Sequence, residues 1–82
     1  MTQRAAPQPF TLRGKLITLD ALLKATGLVG SGGEAKLLIT EGQVRVDGEV
    51  ETRRGRKLRG GETVRLGSTE VQVLADPAAA AG

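Results

Sequence analysis

The apolar positions of this chain follow one period and then another. From Thr18 to Gly42 they recur at helical spacing, and from Val44 onward they alternate with polar residues as in half-buried strands. Leu19, Leu22, Leu23 and Thr26 fall on one helical face, and Gly27 stands where a helix takes a left-handed residue. Thr18 suits the N-cap, its hydroxyl accepting an unpaired first-turn amide, and Ile17 and Leu22 have the spacing of a hydrophobic staple. A second helix follows. Ser31 and Glu34 have capping-box spacing, Ala35, Leu38 and Ile39 make an inner face, and Gly42 ends it. Val44-Arg45-Val46 then alternates into Asp47-Gly48, the strongest short hairpin signal.

The flanks are simpler. Phe10-Thr11-Leu12-Arg13 alternates as a short edge strand, and Gly14-Lys15 turns the chain into Leu16-Ile17. After the hairpin Val50 returns towards Val46, Leu58 tacks the next segment to the core, and Gly60-Gly61 turns. Val64 and Leu66 face inward with Arg65 outward, Gly67-Ser68 turns again, and Val71 and Val73 finish the sheet. Residues 1–9 and 76–82 lack periodicity and read as tails, so a single domain spans 10–75. The expected fold is α+β: two short N-terminal helices packed on a small, mostly antiparallel sheet. Its core is expected to hold Leu22, Leu23, Leu38, Ile39, Val44, Val46, Val64 and Val73.

Composition narrows the chemistry. Eighty-two residues make one domain, which at this size buries only about 60–65% of its unfolded surface. Phe10 is the single aromatic residue, so the core is aliphatic and thin. The absence of Cys removes disulfides, thiolate metal sites and Cys nucleophiles, and the absence of His removes the commonest general base and metal ligand. An enzyme has no residue to rest on, and no cofactor or metal is expected. Residues 1–9 are too short and polar for a signal peptide, and no apolar run approaches a membrane span, so a cytoplasmic location is expected; a monomer is expected as well.

The net charge of +3 hides an asymmetry. Arg53, Arg54, Arg56, Lys57 and Arg59 are five of the twelve basic residues, which leaves seven cations against nine acids elsewhere. Five cations within seven residues repel one another, and solubility alone asks for mixed signs rather than a block. Such concentration is the footprint of a polyanion site. With no aromatic residue to spare beyond Phe10 for stacking bases, these side chains suit phosphates, hence folded or double-stranded RNA rather than single strands read by stacking. A protein-interaction adaptor, whose basic loop docks on an acidic partner, satisfies the same charges.

Two glycine-rich strings carry less. Gly30-Ser31-Gly32-Gly33 has neither a preceding strand nor a following Gly-Lys-Ser/Thr, so it is an interhelical turn rather than a phosphate loop. Gly32 and Gly33 leave first-turn amides uncovered, a secondary phosphate contact that the Glu34 carboxylate opposes. Gly27-Leu28-Val29-Gly30 fits the Gly-x-x-Gly of a KH domain but offers a phosphate no charge.

The ordered set from residue 17 to 66 resembles the small RNA-binding domain named after the fourth protein of the ribosomal small subunit, the S-four domain. The matching elements are Leu19-Asp20, Gly27-Leu28, Ser31, Glu34-Ala35-Lys36, Leu38-Ile39, Gly42, Val44, Val46, Asp47-Gly48 and Gly60-Gly61-Glu62-Thr63-Val64. Glu51-Thr52-Arg53 and the basic run after it are similar to the small free-standing YbcJ-like branch. Two departures stand out: Thr18 replaces the Arg before Leu-Asp, and Gly32 replaces a frequent Arg after the turn serine.

The resemblance implies an αL-type RNA-binding fold and structured RNA of the ribosomal or transfer class as ligand. It also implies the ribosome or an RNA-processing protein as partner. Candidate RNA contacts are Lys24, Lys36, Arg45, Arg53, Arg54, Arg56, Lys57 and Arg59. Lys36 and Arg45 are expected to join the 53–59 loop in one continuous positive face. Because Thr18 and Gly32 bring no charge, the loop is expected to carry most of the affinity.

Overall fold

A computed structural model of the chain describes residues 7–78. Among these the order is β1 (Gln8–Thr11), β2 (Ile17–Thr18), α1 (Leu19–Ala25), α2 (Gly32–Thr40), β3 (Val44–Val46), β4 (Glu49–Val50), β5 (Lys57–Leu58), β6 (Thr63–Leu66) and β7 (Thr69–Leu74). The main sheet runs β1-β7-β6-β3-β4, and β2 pairs with β5 in a separate ladder. All pairings are antiparallel except β1 with β7. The fold is thus α+β with a mostly antiparallel sheet, but two strands precede the helices. β1 begins at Gln8, two residues inside the stretch expected to be a tail, and residues 1–6 and 79–82 of the two tails lie outside the described residues. Asp76, placed in the second tail, accepts the Gly14 amide at 2.6 Å.

Both helices end as their glycines predict. At α2 the Gly42 amide donates to the Ile39 carbonyl and the Gln43 amide to the Leu38 carbonyl, with Gly42 at φ +78. That is the Schellman pattern, which the missing Cβ of glycine permits. The start of α2 also follows expectation in part. The Ser31 hydroxyl accepts the Glu34 amide, but the Glu34 carboxylate takes the amide of Gly30 rather than that of Ser31.

The start of α1 differs from expectation. Thr18 occupies the N-cap without capping, because its hydroxyl donates to the Asp20 carboxylate at 2.7 Å. Carbonyls from a distant segment take the amides of Leu19 and Asp20, as described below, and the Asp20 carboxylate takes that of Ala21.

One apolar layer joins helices and sheet. Leu19, Leu22, Leu23, Ala35, Ile39, Val44, Val46, Leu58, Val64, Val71 and Val73 are buried in a common cluster with Leu12 and Val29. Leu38 is a correction: it is half-buried at the margin of this cluster, while Ala35 and Ile39 make the fully buried line of α2. Val50 is a second, since it lies opposite Arg45 rather than Val46 and is exposed. No described helix is long and apolar enough to cross a membrane.

At the join between the basic segment and the sheet, Gly60 has φ +115, and a Cβ there would sit 2.8 Å from backbone atoms of Ala75. Two neighbouring α2 positions test the packing. Ile39→Ala should cost about 2–5 kcal/mol in urea unfolding, whereas Leu37→Ala, at a site 57% exposed, should fall within about 0.5 kcal/mol of the parent. Equal losses at both positions would refute the helical register.

Candidate nucleic-acid interface

The basic segment is shaped by one carboxylate. Glu51 follows β4, and its amide donates to the Val44 carbonyl, which carries it to the inner side of the sheet where it is only 7% exposed. There its carboxylate accepts the Arg53 amide and Nε, both at 3.1 Å, Arg53 Nη2 at 3.3 Å and Arg56 Nη1 at 2.7 Å. Two guanidiniums and a backbone amide thus satisfy a buried anion. These bonds, Arg53 first and Arg56 second, hold the carboxyl down at about 2, against the opposing effect of burial.

The segment is then tied to α1. The Arg56 carbonyl accepts the Leu19 amide at 2.9 Å, and the Arg54 carbonyl accepts the Asp20 amide at 3.1 Å. Two otherwise orphaned amides of the helix start are thereby paired. Ile17 and Thr18 pair with Leu58 and Lys57, and Leu58 is fully buried beneath them. At the far end the Glu62 carboxylate accepts the amides of Arg59 and Gly60. What looked like an open loop is a docked strap whose backbone is tied down at its start, along α1 and at its far end.

The candidate side chains therefore divide. Arg53 and Arg56 are paired with Glu51, Arg56 being half-buried. Arg54, Lys57 and Arg59 are exposed and hold no ion pair with another described residue. Next to the strap a shallow groove is lined by Thr18, Asp20, Lys24 and Gly32. Lys24 is exposed in the last turn of α1. Lys36 is exposed four residues after Gly32, hence on the same side of α2. The strap, Lys24 and Lys36 accordingly border the helical side of the molecule.

Arg45 does not. Val44 and Val46 point into the core, so Arg45 stands on the opposite, outer face of the sheet, where Nη1 donates to the Gly48 carbonyl at 3.2 Å. The single positive face expected from the sequence is split by the sheet. Sequence reasoning also missed Glu51 as an organiser, using it only as part of the resemblance. Its position just past a two-residue strand is the one signal that its side chain turns inward.

The Glu51 pairing sets a pH dependence. A carboxyl lowered from 4.5 to about 2 adds stability that is complete above 4.5 and is lost as pH falls through about 2. Melting temperatures between pH 2 and 6 should therefore fall more steeply on acidification for the parent than for Glu51→Gln. The variant should already be less stable at pH 6, since a neutral amide cannot pair two guanidiniums. Parallel curves would show that the carboxylate does not hold the strap.

The comparisons with known proteins agree with this architecture. Residues 10–74 match the S4 domain family model. The putative RNA-binding protein YbcJ of Escherichia coli is 49% identical over 59 residues, covering 72% of this chain and 84% of that protein. The probable ribosome maturation protein RlbA of Bacillus subtilis is 40% identical over 58 residues, covering 71% and 82%. The solution structure of Escherichia coli YbcJ, described as revealing an αL motif involved in RNA binding, aligns with a TM-score of 0.67 at 41% identity. It covers 92% of this chain and 96% of that one. With a family match across most of its length and relatives this similar, the chain belongs to the S4 domain family and resembles its YbcJ-like members.

Proposed function

We propose that this protein binds structured RNA, of the ribosomal or transfer class, through phosphate contacts from its helical side. The carrying observation is the docked strap, which presents Arg54, Lys57 and Arg59 outward on a backbone fixed to α1. Preorganised cations lose little entropy on binding. Lys24 lines the adjoining groove, and Lys36, one turn along α2 from Gly32 of that groove, extends the footprint along the helices. Arg53 and Arg56 act mainly by shaping the strap with Glu51.

The relatives support this reading. The E. coli protein is named as RNA-binding, and the B. subtilis protein is named for ribosome maturation. A ribosomal RNA ligand and a ribosomal or RNA-processing partner follow most directly for a cytoplasmic monomer of this kind. The protein acts by binding, without catalysis of its own. The lack of aromatic residues beyond Phe10 leaves shape and charge, not base stacking, as the means of recognition.

Affinity measured against salt tests the proposal. Arg54→Gln/Lys57→Gln/Arg59→Gln should lower the slope of log affinity against log salt by about 2–2.7, the loss of roughly three phosphate contacts. It should weaken binding to a ribosomal RNA fragment and to an unrelated RNA hairpin alike, because phosphate contacts position without reading sequence. Unchanged affinity and slope would refute the strap as the binding element.

A further inference from the structure

The outer face of the sheet carries a charge arrangement that the helical side does not use. Arg45 of β3 and Arg65 of β6 are direct cross-strand partners, and both are exposed. Like charges so placed, with Cβ atoms about 4.5–5.5 Å apart, destabilise a sheet. Both guanidiniums are nonetheless anchored there by the carbonyls of the adjacent turns. Arg45 Nη1 donates to Gly48 and Arg65 Nε donates to Gly67 at 3.0 Å, so Arg65 keeps its terminal pair of nitrogens for an incoming anion. They flank a groove of about 550 Å³ floored by Gln43, Thr63, Gly67 and Glu70.

We propose that this face is a second phosphate site, taking the backbone of an RNA strand other than the one held on the helical side. This extends the reading given under Proposed function: the domain would then hold two RNA segments, one on each side of its sheet. Charge complementarity selects the occupant, since the residues lining the groove are polar, charged or glycine and bring two anchored guanidiniums together, with Val50 the one exposed apolar side chain beside Arg45. One carboxylate opposes it. Glu70 lies beside Arg65 in the ladder and offsets part of the charge, which makes this the weaker of the two sites.

NMR titration of the isotope-labelled full chain with a twelve-base-pair RNA duplex tests the proposal. Three proteins are compared: the parent, Arg45→Gln/Arg65→Gln, and Arg54→Gln/Lys57→Gln/Arg59→Gln. In the parent the amides of Gln43, Thr63 and Gly67 should shift together with those of the strap. The strap variant should keep the outer-face shifts, and the sheet variant should lose them while keeping the strap shifts. The sheet variant should also melt no lower than the parent, because a like-charge pair is removed. Glu70→Gln should tighten the outer site about 1.5- to 5-fold. Shifts confined to the helical side would overturn this proposal and leave the function proposed above standing. Shifts confined to the outer face would overturn the helical-side reading given above and, with it, the two-segment arrangement, leaving a single RNA site on the sheet. No shift on either face would overturn both.

Discussion

Five cations in seven residues cannot lie against a protein surface without an anion to hold them. The Glu51 carboxylate meets that constraint. It sits under the strap rather than beside it, and its charge is paired with Arg53 and Arg56 before those side chains can repel their neighbours. The backbone can then close on α1, donating nothing and accepting two amides that the helix could not satisfy itself. The strap remains net positive, but the buried acid lowers by one unit the positive charge brought to a helix start, where such charge is disfavoured. With Arg53 and Arg56 paired to that acid, Arg53 from the surface and Arg56 half-buried, the other three cations face outward on a fixed frame.

What was legible in the sequence was local. Gly42 ends α2 and Asp47-Gly48 turns the hairpin because each acts within a few residues, and both left-handed conformations are present. The helical faces were legible for the same reason, although Leu38 shows the limit. A leucine at the right spacing still lies at the rim when the helix rolls towards Ala35 and Ile39. The misread features all depend on distant partners. Thr18 looked like a capping residue, yet of the amides it would have capped Asp20 donates to the carbonyl at 54 and Ala21 to the Asp20 carboxylate. Glu51 looked like one acid among several, and only tertiary placement turns it inward. Arg45 looked like part of one basic face because alternation says which residues share a side, not which side another helix occupies.

Basic residues in this domain therefore serve three distinct ends. Some shape the strap, some border the helical groove, and two are pinned side by side on the far surface of the sheet. A net charge of +3 conveys none of this. Partition of charge by the sheet, rather than its total, distinguishes this domain from a simple basic patch.

The one parallel pairing carries a consequence for how the chain is made. β1 opens the described chain and β7 nearly closes it, with Gln8 beside Val71 and Thr11 beside Leu74. β7 also lies between β1 and β6, so the first strand has no neighbour until the last has been synthesised. At roughly 5–20 residues per second, β1 waits several seconds with its backbone groups open to water. The two prolines at 7 and 9 stand at that waiting edge. Lacking an amide hydrogen, they make it a poor template for any other strand during translation.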